Sequence, residues 1–230
     1  GYSNRELGWE KNKQYDLGID LAFFNRINLN VDLYKRTSDI VMPANIPNFN
    51  GIASSVYMNS GQVENKGIEL SLNAKVLQGA FNWETTLNWS MNKNKILSLA
   101  NNQTQLANGK AGTKWGNVIR NIVGRPMGDM YMLKVIGTYN TEEDLQKYPK
   151  FGTEGIGDLI FEDTNGDKVV NANDYQHVGN YQPDFTYGWN NKFSYKNFDL
   201  AVTIDGQVGG KVIYAAARAF SLNRWDDNVL

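Results

Sequence analysis

Tyr15-Asp16-Leu17-Gly18-Ile19-Asp20-Leu21-Ala22-Phe23, a break ending at Asn25-Arg26, then Ile27-Asn28-Leu29-Asn30-Val31-Asp32-Leu33-Tyr34: apolar and polar residues alternate with a period of two on both sides of a short interruption. Successive side chains of a β-strand point to opposite faces. Tyr15, Leu17, Ile19, Leu21 and Phe23 therefore share one face, and Asp16, Gly18, Asp20 and Ala22 the other. Ile27, Leu29, Val31 and Leu33 continue the apolar face on the return, so the pair predicts a hairpin with a tight turn.

Two further stretches follow the same plan. Ile68, Leu70, Leu72 and Ala74 alternate with Gly67, Glu69, Ser71 and Asn73, a turn falls near Leu77-Gln78-Gly79, and Phe81, Trp83, Leu87, Trp89 and Met91 line the return. Phe185, Tyr187, Trp189, Phe193 and Tyr195 lead to a turn at Lys196-Asn197, followed by Phe198, Leu200, Val202 and Ile204. The expected organisation is three hairpins near residues 13–37, 65–93 and 184–207, joined by long connections over 38–64 and 94–183. Thr141 ahead of Glu142-Glu143-Asp144 predicts a short capped helix, and the apolar spacing after Val212 predicts an amphipathic loop helix near 212–225.

Each strand runs to roughly ten residues, about what a tilted strand needs to cross a bilayer, with one apolar and one hydrophilic face. Strands of a soluble β-sandwich alternate too, so periodicity alone leaves both folds open. Connection lengths separate them: the turns inside hairpins are a few residues, whereas the segments between hairpins are long. Outer-membrane barrels pair short periplasmic turns with longer extracellular loops, while long structureless loops are uncommon in compact soluble domains. The expected fold is all-β: an antiparallel transmembrane β-barrel segment of about six strands, an incomplete barrel because bacterial barrels use at least eight. Long extracellular loops and short loop helices complete the expectation.

Composition excludes several alternatives. A formal net charge of -1 and the lack of a Lys/Arg cluster argue against a nucleic-acid footprint. Zero cysteines exclude a disulfide scaffold, a thiolate metal site and a cysteine nucleophile. No stretch approaches the roughly 18 apolar residues of a membrane helix, and Gly1-Tyr2-Ser3-Asn4-Arg5 carries no signal-peptide core. Any membrane spanning falls to strands.

One segment has the oxygen spacing of a calcium loop, running from Asp163 to Asp174. Asp163, Asn165, Asp167, the Val169 carbonyl, Asn171 and Asp174 stand where such a loop wraps a hard cation. Lys168 replaces the sharp-turn glycine and Asp174 the bidentate glutamate, both of which weaken affinity, and a plain Asn-Gly turn without metal explains the same residues. Tyr57, Trp115, Tyr131 and Trp225 in the long connections are candidates for stacking on sugar rings or for pinning loops to one another. His177 is the only histidine, which argues against a multi-histidine metal site or a triad. The scattered carboxylates nominate no glycosidase pair, so no enzyme activity is expected.

Several ordered segments resemble the SusC/RagA-like TonB-dependent transporters. They are Leu7-Gly8-Trp9-Glu10 through Asp20, Leu33 through Ile40, Asn59 through Leu70, Val123-Gly124-Arg125-Pro126-Met127-Gly128, and Gly179 through Gly188. The resemblance implies a large barrel in the Gram-negative outer membrane that imports oligosaccharides or peptides with energy from TonB. It also implies a SusD-like surface lipoprotein as partner and outer-membrane lipid around the wall. No plug domain, TonB box or terminal aromatic strand is recognisable, and Trp225-Asp226-Asp227-Asn228-Val229-Leu230 reads as loop, so the chain is expected to be part of the C-terminal barrel portion. The competing reading is a soluble extracellular β-domain binding carbohydrate or calcium.

Overall fold

The computed structural model describes residues 5, 7–45, 55–107 and 118–214. Four long strands come first: β1 (Asn12–Phe23), β2 (Ile27–Asn45), β3 (Ser55–Leu77) and β4 (Phe81–Leu99). The middle of the chain holds short elements: β5 (Gln105–Ala107), β6 (Ile119–Ile122), β7 (Asp129–Met132), β8 (Val135–Thr138), α1 (Glu142–Lys147), β9 (Leu159–Phe161) and β10 (Gln176–Asn180). Two long strands, β11 (Pro183–Tyr195) and β12 (Phe198–Gly209), follow.

The long strands form one antiparallel sheet of six in the order β1-β2-β3-β4-β11-β12. Its turns are short: Phe24 and Asn25 take positive φ of 54° and 56° between β1 and β2, the twist that joins two strands tightly. The register carries the sequence alternation across strands. Leu21, Leu29, Leu72, Leu87, Trp189 and Ile204 fall in one row on one face. Asp20, Asn30, Ser71, Asn88, Gly188 and Asp205 fall in the neighbouring row on the other. A one-residue slip anywhere would exchange the faces, so the continuity of both rows fixes the register of the whole sheet.

The apolar face is solvent-exposed rather than packed: Leu17, Leu21, Leu87, Trp189, Leu200 and Ile204 are each more than a third exposed. Along β4 this face runs from Phe81 to Met91. At about 3.4 Å per residue and a tilt of about 40°, that length spans about 25 Å, the height of a barrel's apolar band. Rings gather at the turn end, with Phe81 and Trp83 stacked 6.1 and 5.8 Å from Phe193, and Tyr195 and Phe198 alongside. Two polar residues, Thr85 and Asn191, interrupt the apolar face as direct cross-strand neighbours. Each accepts from an indole: Trp189 Nε1 donates to Thr85 Oγ1 at 2.9 Å and Trp83 Nε1 to Asn191 Oδ1 at 3.0 Å. Polar groups so satisfied are tolerated in an apolar medium.

The connection expected over 38–64 is largely strand. β2 and β3 stay paired to Asn45↔Ser55, and a bulge between Ile40 and Val41, opposite Gly61, resets the register. The extra residue is Ser60 on β3, so the bulge shifts the phase of that strand, while in β2 the run Ile40-Val41-Met42 carries no alternation. At the upper end of β3 and β4, Val63, Ile96 and Leu99 are buried with Ile40, Leu106 and Met127 packed against them. The Gly124-Arg125-Pro126-Met127 segment takes the place beside β4 above the end of β11: Ile96 N–H donates to Arg125 O and Gly124 N–H to Ile96 O.

The expected long loop over 94–183 also holds regular structure. β4 continues to Leu99, and residues 128–180 belong to a second compact unit. There β7 pairs with β10 and with the start of β6, β8 pairs with β9, and the fully buried Tyr139 donates through its hydroxyl to Pro149 O at 2.9 Å. Helix α1 is short but well capped: Asp144 N–H donates to Thr141 Oγ1, and the Asp144 carboxylate accepts the Thr141 N–H in return. Residues 212–214 have no regular structure, and the rest of the helix expected near 212–225 lies outside the described residues.

Candidate functional site

The hydrophilic face of the large sheet is a hydrogen-bonded surface. Asn30 donates to Asp20, Ser71 to Asn88, Thr86 to Asn73 and Thr203 to Asn190, and Ser90 and Thr186 share a 2.8 Å bond across β4 and β11. Tyr34 lies over Gly67, where a Cβ would collide with its ring, and its hydroxyl donates to Asn92 Oδ1 at 3.1 Å. Asn92 and Asn94 both donate to Asn65. Asp32, Glu69, Ser71, Asn88 and Thr186 line a shallow cleft of about 350 Å³ on this face. Such a surface suits contact with water and polar solutes, and the opposite face suits hydrocarbon.

The Asp163–Asp174 loop belongs to the second unit, and its oxygens cap the loop's own backbone. Asp163 accepts from the N–H groups of Gly166 and Lys168 at 2.7 and 2.8 Å, Asn165 from Asp167 N–H, and Asp167 from Val169 N–H. Asn171 accepts from Asn173 N–H and donates to Val169 O. Lys168, which stands in the position of a sharp-turn glycine, has φ of 66°, so the backbone makes that turn with a lysine. Asp174 is fully buried and accepts from Thr164 N–H, Thr164 Oγ1 and Asn171 N–H. Burial raises its carboxyl, but these hydrogen bonds together outweigh burial and hold it below the ordinary carboxylate range. Among the described residues no group of three or more His, Cys, Asp or Glu side chains is arranged to hold a metal ion.

Tyr131 sits in a cluster that the sequence did not reveal. The Arg120 guanidinium lies 4.9 Å from its ring centre and 5.4 Å from that of Tyr175, and His177 meets Tyr131 edge-on at 5.5 Å. Buried Asp129 lies 3.3 Å from His177 Nε2 and accepts from Asn180 Nδ2 at 3.0 Å, while Arg120 donates to Ala172 O. Tyr131 thus pins its unit together. Nearby, Gln176 and Lys134 hold the Glu162 carboxyl below its usual range. Tyr57 lies on β3 in the other unit and is exposed, whereas Trp115 and Trp225 lie outside the described residues.

An antiparallel sheet with short turns, a bilayer-high apolar face and a wet opposite face defines the wall of an outer-membrane β-barrel. Residues 1–205 match the family described as TonB dependent receptor-like, beta-barrel, and the chain belongs to that family. TonB-dependent receptor P3 of Formosa agariphila is 33% identical over 92% of this chain, and TonB-dependent receptor SusC of Bacteroides thetaiotaomicron is 28% identical over 92%. The chain spans 22% and 20% of the length of these relatives. Among solved structures, the fold matches the RagAB peptide transporter with a TM-score of 0.69 at 23% identity, covering 88% of this chain and 21% of that one. The RagAB peptide importer in its open-open state matches with a TM-score of 0.71 at 24% identity, over 90% and 21% of the two chains.

Proposed function

We propose that the chain is a wall segment of an outer-membrane active transporter that imports oligosaccharides or peptides with energy from TonB and performs no catalysis of its own. The turns at Asn25, Gly79 and Lys196 lie on the periplasmic side in this reading, and the long connections over 38–64 and 94–183 are extracellular, where a SusD-like lipoprotein caps the barrel. The observation that carries the reading is the exposed apolar face over six strands, interrupted only at the indole-bonded Thr85 and Asn191 pair in its middle, opposite a polar face of hydrogen-bonded Asn, Ser, Thr and Asp. A soluble β-domain would leave that face in water, where so large an apolar surface promotes aggregation. Family membership and the peptide transport named for RagAB support a polymer-derived cargo.

Deleting the gene of the full-length receptor, in parallel with inactivating TonB, is expected to abolish growth on one class of oligosaccharide or peptide in both strains. Unchanged growth of the receptor deletion on every such substrate, with the TonB strain impaired, would remove the transport reading.

The Asp163–Asp174 loop is proposed to take a calcium ion that braces the second unit, supported by the alternate spacing of Asp163, Asn165 and Asp167. Titration of calcium into the full-length receptor is expected to protect the loop from proteolysis, and Asp163→Asn with Asp167→Asn to remove that protection. Equal cleavage with calcium and with chelator would reject it.

A further inference from the structure

We infer that the hydrophilic face of the sheet carries a subsite for a neutral sugar ring, set between β3, β4 and the start of β11. β4 and β11 pair only as far as Ser90↔Thr186. Beyond that pair Asn92 and Asn94 continue along β4 on the same face, with β3 on one side and no β11 residue opposite them on the other. The space so opened is a cleft of about 360 Å³, lined by Asn65, Ser90, Asn92, Asn94, Tyr181 and Thr186 among others. Its volume falls in the range of small-ligand sites.

A relay of amides fixes which atoms are left for a ligand. The Met127 N–H can only donate, so the Asn94 atom it meets at 2.8 Å is Oδ1, and Asn94 Nδ2 donates to Asn65 Oδ1 at 2.9 Å. Asn92 Nδ2 donates to the same oxygen at 3.2 Å, while Asn92 Oδ1 accepts from Tyr34. Asn65 thus spends its oxygen on both neighbours and keeps both amide hydrogens. Among the described residues no buried side-chain nitrogen or oxygen lacks a partner, so Asn65 Nδ2 is open to solvent. Asn92 keeps its second amide hydrogen, and the bond between Ser90 and Thr186 uses only one of their two hydroxyl hydrogens. Tyr181, 55% exposed, adds an aromatic ring. None of the lining side chains among the described residues carries a charge. The termini and ionised side chains of a peptide would find no counter-charge there. A sugar ring offers hydroxyls that both donate and accept, and a C–H face that packs on an aromatic ring.

This inference rests on the transport reading and narrows its cargo to a neutral oligosaccharide. Its test uses cells carrying the full-length receptor, fed at low concentration with partial hydrolysates of starch, mannan, galactan and β-glucan together with a tryptic digest of casein. Mass spectrometry follows the depletion of each component from the medium. Deleting the receptor is expected to stop depletion of neutral oligosaccharides and leave the peptides unaffected. Asn65→Asp keeps the oxygen that Asn92 and Asn94 need but removes both free hydrogens, and Tyr181→Ala removes the ring. Each is expected to slow the receptor-dependent depletion at least about fivefold with normal receptor levels in the outer membrane, whereas Tyr181→Phe retains it. Receptor-dependent depletion of peptides in place of neutral sugars overturns the site, as does undiminished depletion in both Asn65→Asp and Tyr181→Ala. In either case transport itself still stands; if deleting the receptor changes the depletion of no component, the transport reading fails and the subsite with it.

Discussion

Leu87→Arg in the full-length receptor is expected to cost about 2–4 kcal/mol and to strip the receptor from the outer membrane, because arginine on the lipid face near mid-bilayer carries that penalty. Leu87 sits in the middle rows of the apolar face, between Leu72 on β3 and Trp189 on β11. The adjacent residue supplies the control. Asn88 faces the other way, where Ser71 donates to it, so Asn88→Arg places the same charge in water and is expected to leave assembly near normal. The measurement is the amount of folded, heat-modifiable receptor in outer-membrane fractions. A soluble domain that left this face in water would show neither the sharp loss nor the contrast between neighbours.

Gly61→Ala is the second large effect. Gly61 has φ of 146°, and a Cβ built there would overlap the carbonyl oxygen of Ser98 on β4. Backbone strain of about 1–3 kcal/mol adds to an overpacking cost of similar size. The cost falls where Val63, Ile96 and Leu99 close the upper end of the β3–β4 hairpin, beyond the apolar band. The expected result is therefore local: the receptor still inserts, but amide exchange accelerates over residues 95–106. Gly155→Ala is the control, since nothing lies within 4 Å of a Cβ there. Exchange unchanged in Gly61→Ala would show that the bulge tolerates a side chain.

What the sequence disclosed and what it concealed follow from the range of the forces involved. The six membrane-crossing strands were legible because period-two alternation is a local consequence of strand geometry, visible from Tyr15 to Leu33 without knowing any partner. The outer halves of β2 and β3 were not legible, because Ser60 shifts the phase of β3, Ile40-Val41-Met42 run without alternation in β2, and only pairing shows that the strands continue. Thr85 and Asn191 break the apolar period, yet each is answered by an indole on the neighbouring strand, a partner that no local pattern shows. The second unit was read as loop because its strands are three to five residues long, too short to display a period. The cluster that pins it joins Asp129 to His177 and Arg120 to Tyr175, pairs set far apart in sequence that no local motif announces. The capped helix at Thr141 was legible for the opposite reason: a capping box is contained within four residues.

The central claim is that one face of this sheet meets lipid and the other meets water. The chain has no cysteine, which makes single-cysteine labelling along β4 direct. Spin labels introduced one at a time from position 86 to position 91 of the full-length receptor, reconstituted in lipid, should give oxygen accessibility that is high at 87, 89 and 91. Accessibility to a water-soluble nickel chelate should instead be high at 86, 88 and 90. A flat profile, or one with the two phases exchanged, would contradict the account.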